Sequence, residues 1–248
     1  MLTVKATPHL AGLAISGDYD DLQRLYDALM AVVDDHDEEN EDDETDYELP
    51  ALYILALCYE VRHAHQGERW LEFVDNGFSE EIQQYQKSLG PQHNVYFQTR
   101  IAIPEILFDL MVLDDFIKQY KRKAPWGELD RDITCVRWFQ AEATQALCSL
   151  LDEKAAARLV QLMHGPESEL RFDGYYTQYV DFQTNRYLKA APEKRLTQIL
   201  PLARRFHERG ATYLRLAEEL EETAEELSCS ISDLQPVDEP KELTDEEW

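Results

Sequence analysis

The stretch Ile103-Pro-Glu-Ile-Leu-Phe-Asp-Leu-Met-Val-Leu-Asp-Asp-Phe-Ile-Lys-Gln-Tyr120 decides the fold of this chain. Pro104 suits the first turn of a helix, where its missing N–H costs nothing, and the helix dipole favours Glu105 there. Apolar side chains then recur around most of the helix and not along one stripe only. Because such a helix lies inside a globule with other elements on several sides, the pattern predicts a central helix over residues 103–120.

Acidic side chains within this stretch exclude a membrane span. Glu105, Asp109, Asp114 and Asp115 would each be costly in hydrocarbon. No other window of about 18 apolar residues occurs in the chain. The sequence therefore predicts no contact with the membrane.

The residues before the central helix predict a small sheet with helices packed on it. Residues 2–16 alternate between apolar and polar side chains like two short strands or a hairpin, and residues 69–75 and 94–102 show the same period. Helical spacing follows Asp18 and also begins at Pro50. Residues 1–123 therefore predict an α+β part with a small, mostly antiparallel sheet.

The residues after position 123 predict helices. Residues 124–230 show helical spacing without a convincing strand, and we expect them to pack on the first part. Residues 231–248 carry Pro236, Pro240 and many acids, which predicts a disordered acidic tail. The fold class expected for the whole chain is α+β, with a largely helical C-terminal part.

The net charge of −26 is concentrated in two segments. Residues 34–48 hold 11 acids and no base, and residues 217–248 hold 13 acids and one base, which leaves a net charge of −3 for the rest. Blocks of like charge usually stay solvated. We therefore expect a nearly neutral globule that carries an acidic loop over 34–48 and an acidic tail, and not a rigid mimic of nucleic acid.

A possible basic patch lies in the C-terminal part. Its members are Lys194, Arg195, Arg204, Arg205 and Arg209. A nucleic-acid groove would combine such bases with exposed aromatic rings, but the nearly neutral body and the acidic segments do not favour nucleic-acid binding. A second interpretation is that the acidic loop or tail folds over a basic patch as a cover.

Five residues are weak candidates for a catalytic site, although the chain contains none of the common catalytic or phosphate-binding motifs. Asp18 begins an acid-rich helix start, Arg62, His63 and His65 fall in the last turn of a helix, and Asp75 belongs to an Asp-Asn-Gly turn. His63 and His65 point about 200° apart on a helix, so they cannot share one metal ion. Caps and turns explain these residues without a site, and we expect no metal and no cofactor.

The cysteines indicate a reducing compartment. Cys58, Cys135, Cys148 and Cys229 form no C-x-x-C pair and are not clustered. The N-terminus has no basic region followed by a long apolar run, so the sequence predicts no signal peptide. Together these features predict a cytoplasmic protein.

Several segments resemble an uncharacterised bacterial family, a domain of unknown function. They are Thr7-Pro-His-Leu-Ala-Gly-Leu-Ala-Ile-Ser-Gly-Asp-Tyr-Asp-Asp-Leu22, Cys58-Tyr-Glu-Val-Arg-His-Ala-His-Gln-Gly67, Val74-Asp-Asn-Gly77 and the stretch 103–120. The resemblance covers residues 1–120 and implies a bacterial, cytosolic origin. It supplies no activity or cofactor, but it draws attention to the five candidate residues as a place to look for a site.

The function expected from the sequence is that of a non-catalytic, cytoplasmic interaction or accessory protein, of immunity or regulator type, that binds another protein. Two alternatives stay open. One is an enzyme whose pocket uses Asp18, Arg62, His63 and His65, and the other is a nucleic-acid-associated protein that uses the surface of residues 204–209. The sequence does not determine the oligomeric state.

Overall fold

The computed structural model describes residues 1–33, 44–87, 89–165, 176–234 and 243–248. Residues 34–43 of the acidic loop predicted over 34–48 lie outside these ranges. From Glu44 onwards the backbone is helical, so residues 44–48 belong to a helix and not to the loop.

Four antiparallel strands form one sheet in the described chain. They are β1 (Thr3–Ala6), β2 (Gly12–Gly17), β3 (Trp70–Asp75) and β4 (His93–Ala102), in the order β1-β2-β4-β3. Val4 lies opposite Ile15, and Ile15 lies opposite Thr99, so the alternating apolar residues share one face. The predicted hairpin over 2–16 and the antiparallel sheet are confirmed.

Helices make up most of the remaining described chain. They are α1 (Tyr19–Val33), α2 (Glu44–His65), α3 (Glu80–Gln86), α4 (Ile103–Tyr120), α5 (Arg131–Cys148), α6 (Glu153–His164), α7 (Tyr176–Leu188), α8 (Pro192–Arg195), α9 (Ile199–Glu208) and α10 (Ala211–Leu227). The α+β class and the helical C-terminal half are therefore confirmed.

Helix α4 is the centre of the molecule, as its sequence predicts. Its residues from Ile103 to Ile117 are buried apart from the partly buried Glu105. It begins where β4 ends, with Pro104 in the first turn and the Ile103 N–H donating to the Ala11 carbonyl at 3.0 Å. Within the described ranges, every helix falls short of the length and hydrophobicity that crossing a bilayer requires.

Helix α2 begins earlier than the sequence predicts. We expected Pro50 to open it, but the helix starts six residues before, so Pro50 lies inside it. An interior proline costs about 3 kcal/mol. Full burial of Ile54, Leu57 and Val61 stabilises the same helix by about 1.5–3 kcal/mol for each side chain, which outweighs that cost.

The helical second half completes the core of the first half. One continuous hydrophobic cluster joins the sheet, α1, α2 and α4 to the buried faces of α5, α6, α7 and α9. Helix α5 packs on α1 and β1, and α7 and α9 pack on α4. The described helices after residue 123 therefore share one core with the sheet and the first helices.

The described residues of the tail are ordered against the globule, which differs from the disorder expected over 231–248. Ile231–Asp233 form a 3-10 turn, and Asp245 accepts a hydrogen bond of 2.6 Å from the indole N–H of Trp70. Trp248 packs against the core, and its carbonyl accepts from the His9 N–H at 2.9 Å. The composition of the tail could not predict this contact, because it depends on Trp70 and Trp248 and not on the many acids. Residues 235–242 lie outside the described chain.

Candidate functional site

A cavity of about 320 Å³ lies between α2, α4, α7 and the end of β4. Its wall is formed by Leu52, Tyr53, Ala56, Leu57, Glu60, Ile101, Glu105, Asp109 and Asp181. Leu52 is 54% exposed and Ala56 is also exposed, so the cavity reaches solvent along α2. Its volume falls in the range of small-molecule pockets.

Glu105 and Asp109 reach this cavity because they stand four residues apart on α4 and so share one face. Glu105 is the third residue of the helix, and its carboxyl accepts a hydrogen bond from the Ala102 N–H, which a helix start leaves unpaired. The local structure of the helix N-terminus therefore fixes the position of the first acid. The helix period then fixes the second.

Asp109 is the most unusual residue of the site. It is 2% exposed, and its Oδ1 has no hydrogen-bond partner within the described residues. Burial, and then the nearby charge of Glu105, raise the pKa of Asp109 well above its usual range. Buried polar groups are nearly always hydrogen-bonded, so an unpaired one on a cavity wall calls for an explanation.

Glu105 titrates near neutral pH. Burial, assisted by the charge of Asp181, raises its pKa to about 7, and the hydrogen bond from Ala102 opposes this shift. At pH 7 the Glu105 carboxyl is therefore close to half ionised. It can gain or lose a proton when a ligand changes the charge in the cavity.

Asp181 brings a third carboxyl to the cavity from α7. The Tyr53 hydroxyl donates a short hydrogen bond to Asp181 and lies 3.2 Å from the Thr177 carbonyl oxygen. Burial raises the pKa of Asp181, and the hydrogen bond from Tyr53 offsets part of that rise. Helices α2 and α7 are thus joined across the cavity by a tyrosine–carboxyl pair.

Glu60 differs from the other acids of the wall because it has a basic partner. Arg69 donates from Nε and Nη2 to its two carboxylate oxygens at 2.7 and 2.8 Å, and Thr99 donates at 3.3 Å. The hydrogen bonds from Arg69 lower the pKa of Glu60 and outweigh its burial. Glu60 is therefore neutralised by a bidentate pair, whereas the other three carboxyls lack such a partner among the described residues.

The predicted catalytic candidates lie elsewhere, and none of them lines this cavity. Asp18 accepts a hydrogen bond from the Asp21 N–H at the start of α1, and Asp75 accepts one from the Gly77 N–H in a turn. Both have the structural roles that the sequence suggested for them.

The basic candidates at the end of α2 are packed among aromatic rings. The His63 ring packs against that of Tyr59 at a tilt of 55° and pairs with Glu68, and the Arg62 guanidinium lies 5.2 Å from the Tyr59 ring centre. His65 is buried with its ring 5.3 Å from that of Tyr19, and burial lowers its pKa. The structure thus places His65 beside the start of α1 without bringing the candidate residues together around a cavity.

The prediction of a basic surface patch is wrong for Arg195, which is buried. Its side chain is 2% exposed and donates to the carbonyls of His9 and Leu188 at 2.9 and 3.0 Å. It is buried because it satisfies carbonyl groups inside the molecule. Lys194 and Arg204 are exposed, Arg205 and Arg209 are partly buried, and Arg204 pairs with Glu208. The surface therefore carries fewer charges than the sequence suggests.

A second cluster of titratable groups surrounds Asp114 on the same central helix. One oxygen of Asp114 accepts from Arg137 and from Gln140, and the other lies 2.8 Å from His164 Nδ1. His164 Nε2 lies 3.2 Å from the Thr144 hydroxyl. Burial raises the pKa of Asp114, but His164 and Arg137 outweigh burial and the net pKa is lowered. This network joins α4, α5 and α6 and shares no residue with the cavity.

Sequence reasoning missed the residues of the cavity, although one signal pointed to them. Glu105 and Asp109 lie in a helix that has almost no polar face, so the sequence already implied that these acids are partly or fully buried. Asp181 and Tyr53 gave no such signal, because they meet only through the packing of α7 on α2. Within the described ranges, no three His, Cys, Asp or Glu side chains are placed to hold one metal ion.

Comparison with known proteins identifies the family. The family model described as "Domain of unknown function (DUF6904)" matches residues 2–248. The predicted resemblance is thus confirmed, and it extends beyond residue 120 through the helical half. The search of curated proteins found no match, and the search of solved structures found none either. The chain belongs to the DUF6904 family.

Proposed function

We propose that this protein binds a small molecule in the cavity between α2, α4 and α7 and acts by binding it, without catalysis. One observation carries the proposal: Asp109 lies on the cavity wall, and its Oδ1 has no hydrogen-bond partner among the described residues. Leaving a buried polar group without a partner costs about 1–3 kcal/mol. A ligand that supplies the missing partner would remove this cost.

The shape and composition of the cavity support the same proposal. Apolar side chains of α2 and Ile101 of β4 form one part of the wall, and a few polar groups form the other. Small-molecule sites commonly combine an apolar lining with a small number of fixed polar groups. The tyrosine–carboxyl pair of Tyr53 and Asp181 fixes the wall before any ligand enters.

A fragment screen by ligand-observed NMR and thermal shift tests the proposal. The variant Ala56→Phe would place a ring in the cavity, while Ala157→Phe adds the same ring at an exposed position of α6 outside it. We expect fragments that bind the wild type and Ala157→Phe but lose binding to Ala56→Phe. Fragments that bind all three proteins equally, or a screen without hits, would overturn the proposal.

A second candidate function is binding to another protein, as the sequence analysis expects. The segment of residues 70–95, here called the β3–α3–β4 arm, exposes Leu71, Phe73 and Val95 on one face of the sheet, and Phe73 is 66% exposed. The same face is buried further along β4 at Thr99 and Ile101. An exposed apolar patch of this kind is typical of interaction surfaces.

Crosslinking in the native host tests this second candidate. The double variant Leu71→Ser and Phe73→Ser removes the apolar face of the arm, and Leu214→Ser removes an exposed leucine of α10 as a control. We expect a specific crosslinked protein that is lost with the double variant and kept with the control. A partner retained by both variants would show that the arm is not the binding surface.

We also propose a cytoplasmic location and a bacterial origin. All four cysteines carry free thiols, and Cys58 is buried, which supports a reducing compartment. The bacterial origin rests on the family resemblance. Of the alternative enzyme site, Arg62, His63 and His65 carry buried ring or guanidinium nitrogens without a hydrogen-bond partner among the described residues, but neither they nor Asp18 line the cavity. For nucleic-acid binding at residues 204–209, Arg204 is exposed but pairs with Glu208.

A further inference from the structure

We infer that the ligand of this cavity is a small organic cation, with an ammonium or amidinium group on an apolar body. The inference rests on the function proposed above and names the class of molecule that the site takes. The cavity wall has an acidic part and an apolar part, and an organic cation could contact both at once.

The acidic surface lacks a counter-charge. Glu105 and Asp109 come from α4 and Asp181 comes from α7, while Glu60 is already paired with Arg69. Among the described residues that line the cavity, none carries a positive charge. Because the lining supplies acids and no base, it favours a cationic ligand over an anionic one.

The donors of an organic cation match the free acceptors of the wall. An ammonium group has three N–H donors and no acceptor. Asp109 and Glu105 stand one turn apart on the same helix face and both line the cavity, so their carboxyl groups offer acceptors for two of these donors. A neutral alcohol would donate one hydrogen bond and would leave the remaining acceptors unpaired.

The apolar surface gives the ligand its second property. Leu52, Leu57 and Ile101 line the cavity, and the Tyr53 ring packs edge-on against Phe108 at 5.1 Å. The volume of about 320 Å³ far exceeds the space of a single ion, since one water molecule takes about 30 Å³ in the liquid. The cation therefore carries a carbon body that covers these side chains.

Binding of such a cation is linked to proton release. Burial raises the pKa of Asp109, and the pKa of Glu105 is raised to about 7, so both carboxyls hold protons that a cation would displace into solvent. The titratable and charged groups around them are Tyr53, Cys58 and Glu60 of α2, Arg69 bound to Glu60, and Asp181 of α7. Affinity for the cation should thus increase as the pH rises through about 7.

Isothermal titration calorimetry with matched probes tests the inference. The cations are benzylamine, cyclohexylamine and agmatine, the neutral analogues are benzyl alcohol and cyclohexanol, the anion is benzoate, and the inorganic control is MgCl₂. Each is titrated into the full chain and into the variants Asp109→Asn and Glu218→Gln. The second variant removes an exposed acid of α10 and serves as the matched control. Titration in two buffers of different protonation enthalpy measures the protons released.

We expect at least one amine to bind the wild type and Glu218→Gln about tenfold more tightly than its neutral analogue, with loss of about tenfold in Asp109→Asn. Proton release should accompany this binding. If the alcohols or benzoate bind as tightly as the amines, or if MgCl₂ alone binds through Asp109, the inference fails while a small-molecule or ion site remains. If none of the probes binds and the fragment screen finds no ligand, both the inference and the proposed function fail.

Discussion

The carboxyl groups of Glu105 and Asp109 lie one turn apart on α4 and face the same cavity. The charge of Glu105 adds to burial in raising the free energy of ionising Asp109, because like charges at this spacing repel each other. A helix selected for stability alone would carry an apolar residue at one of these positions. The cost of keeping both acids is what the ligand site proposed above would require, since functional sites are often maintained at a cost in stability.

Replacing Asp109 with asparagine should stabilise the protein. The substitution removes a buried ionisable group whose pKa is raised and whose Oδ1 is unpaired, and it keeps the side-chain shape. We expect the free energy of unfolding to increase by about 1–3 kcal/mol at pH 7. Denaturation by guanidinium chloride measures this change.

The same substitution at Asp114 should have the opposite effect and serves as its control. Asp114 is also buried on α4, but Arg137 and His164 bind its carboxylate. Asp114→Asn should lower the free energy of unfolding by about 2–4 kcal/mol, because it leaves those cations without their partner. Equal signs for the two substitutions would contradict the assignment of Asp109 as an unpaired group.

Glu105 should make stability depend on pH in an unusual direction. Its pKa rises from 4.5 in the unfolded chain to about 7 in the folded one, so the folded state holds a proton that the unfolded state has lost. The stabilisation is complete below pH 4.5 and is lost as the pH rises to about 7, by about 3 kcal/mol.

A comparison of wild type with Glu105→Gln between pH 4.5 and 7 measures this contribution. We expect the wild type to lose stability relative to the variant across that range, as followed by thermal unfolding at several pH values. Glu218→Gln should run parallel to the wild type, since its side chain is exposed. Parallel curves for Glu105→Gln and wild type would refute the raised pKa.

Arg195 should be essential for stability although it lies in a predicted surface patch. Arg195→Met removes the hydrogen bonds to the His9 and Leu188 carbonyls and leaves both groups buried without their donor. We expect a loss of about 2–4 kcal/mol in the free energy of unfolding. Arg204→Met, which removes an exposed side chain paired with Glu208, should cost less than about 0.5 kcal/mol. Similar losses for the two variants would show that Arg195 is not the buried anchor described above.

Gly12 should not tolerate a side chain. A Cβ there would meet the Ile101 carbonyl and would come within 2.5 Å of the Trp248 ring, whereas nothing lies within 4 Å of a Cβ at Gly210. We expect Gly12→Ala to lower the free energy of unfolding by about 2 kcal/mol or more, and Gly210→Ala by about 1 kcal/mol or less. Thermal unfolding of both variants distinguishes them, and equal melting temperatures would contradict the close packing at Gly12.

The sequence predicted the parts of the fold that depend on local pattern. Apolar side chains around most of the helix over residues 103–120 predicted its central position. The alternation of apolar and polar side chains in residues 2–16 and 94–102 predicted strands of the sheet. These signals are strong because burial of one face is the main term in forming each element. Pro50 misled the prediction, because the packing of later residues in α2 outweighs the local preference of proline.

The candidate site depends on contacts that no local pattern contains. Tyr53 and Asp181 are 128 residues apart in the chain, and Arg195 is buried only because the His9 carbonyl lies beside it. The composition of the tail gives no sign that its end meets the globule, yet the exposed Asp245 accepts a hydrogen bond from Trp70, and the Trp248 ring packs against the Trp70 ring. Such pairings are set by how helices pack on the finished core, so they follow from the fold and cannot be deduced before it.

The connection between β1 and β2 has a consequence for the order in which the chain folds during translation. The Leu10 carbonyl accepts from the Tyr187 hydroxyl at 2.6 Å, and His9 is bound by both Arg195 and Trp248. Tyr187 follows Leu10 by 177 residues, which a ribosome needs roughly 9–35 s to synthesise at about 5–20 residues per second. The β1–β2 connection therefore cannot form these hydrogen bonds until the last third of the polypeptide has been synthesised. Until then the nascent N-terminal half exposes apolar surface that chaperones can bind.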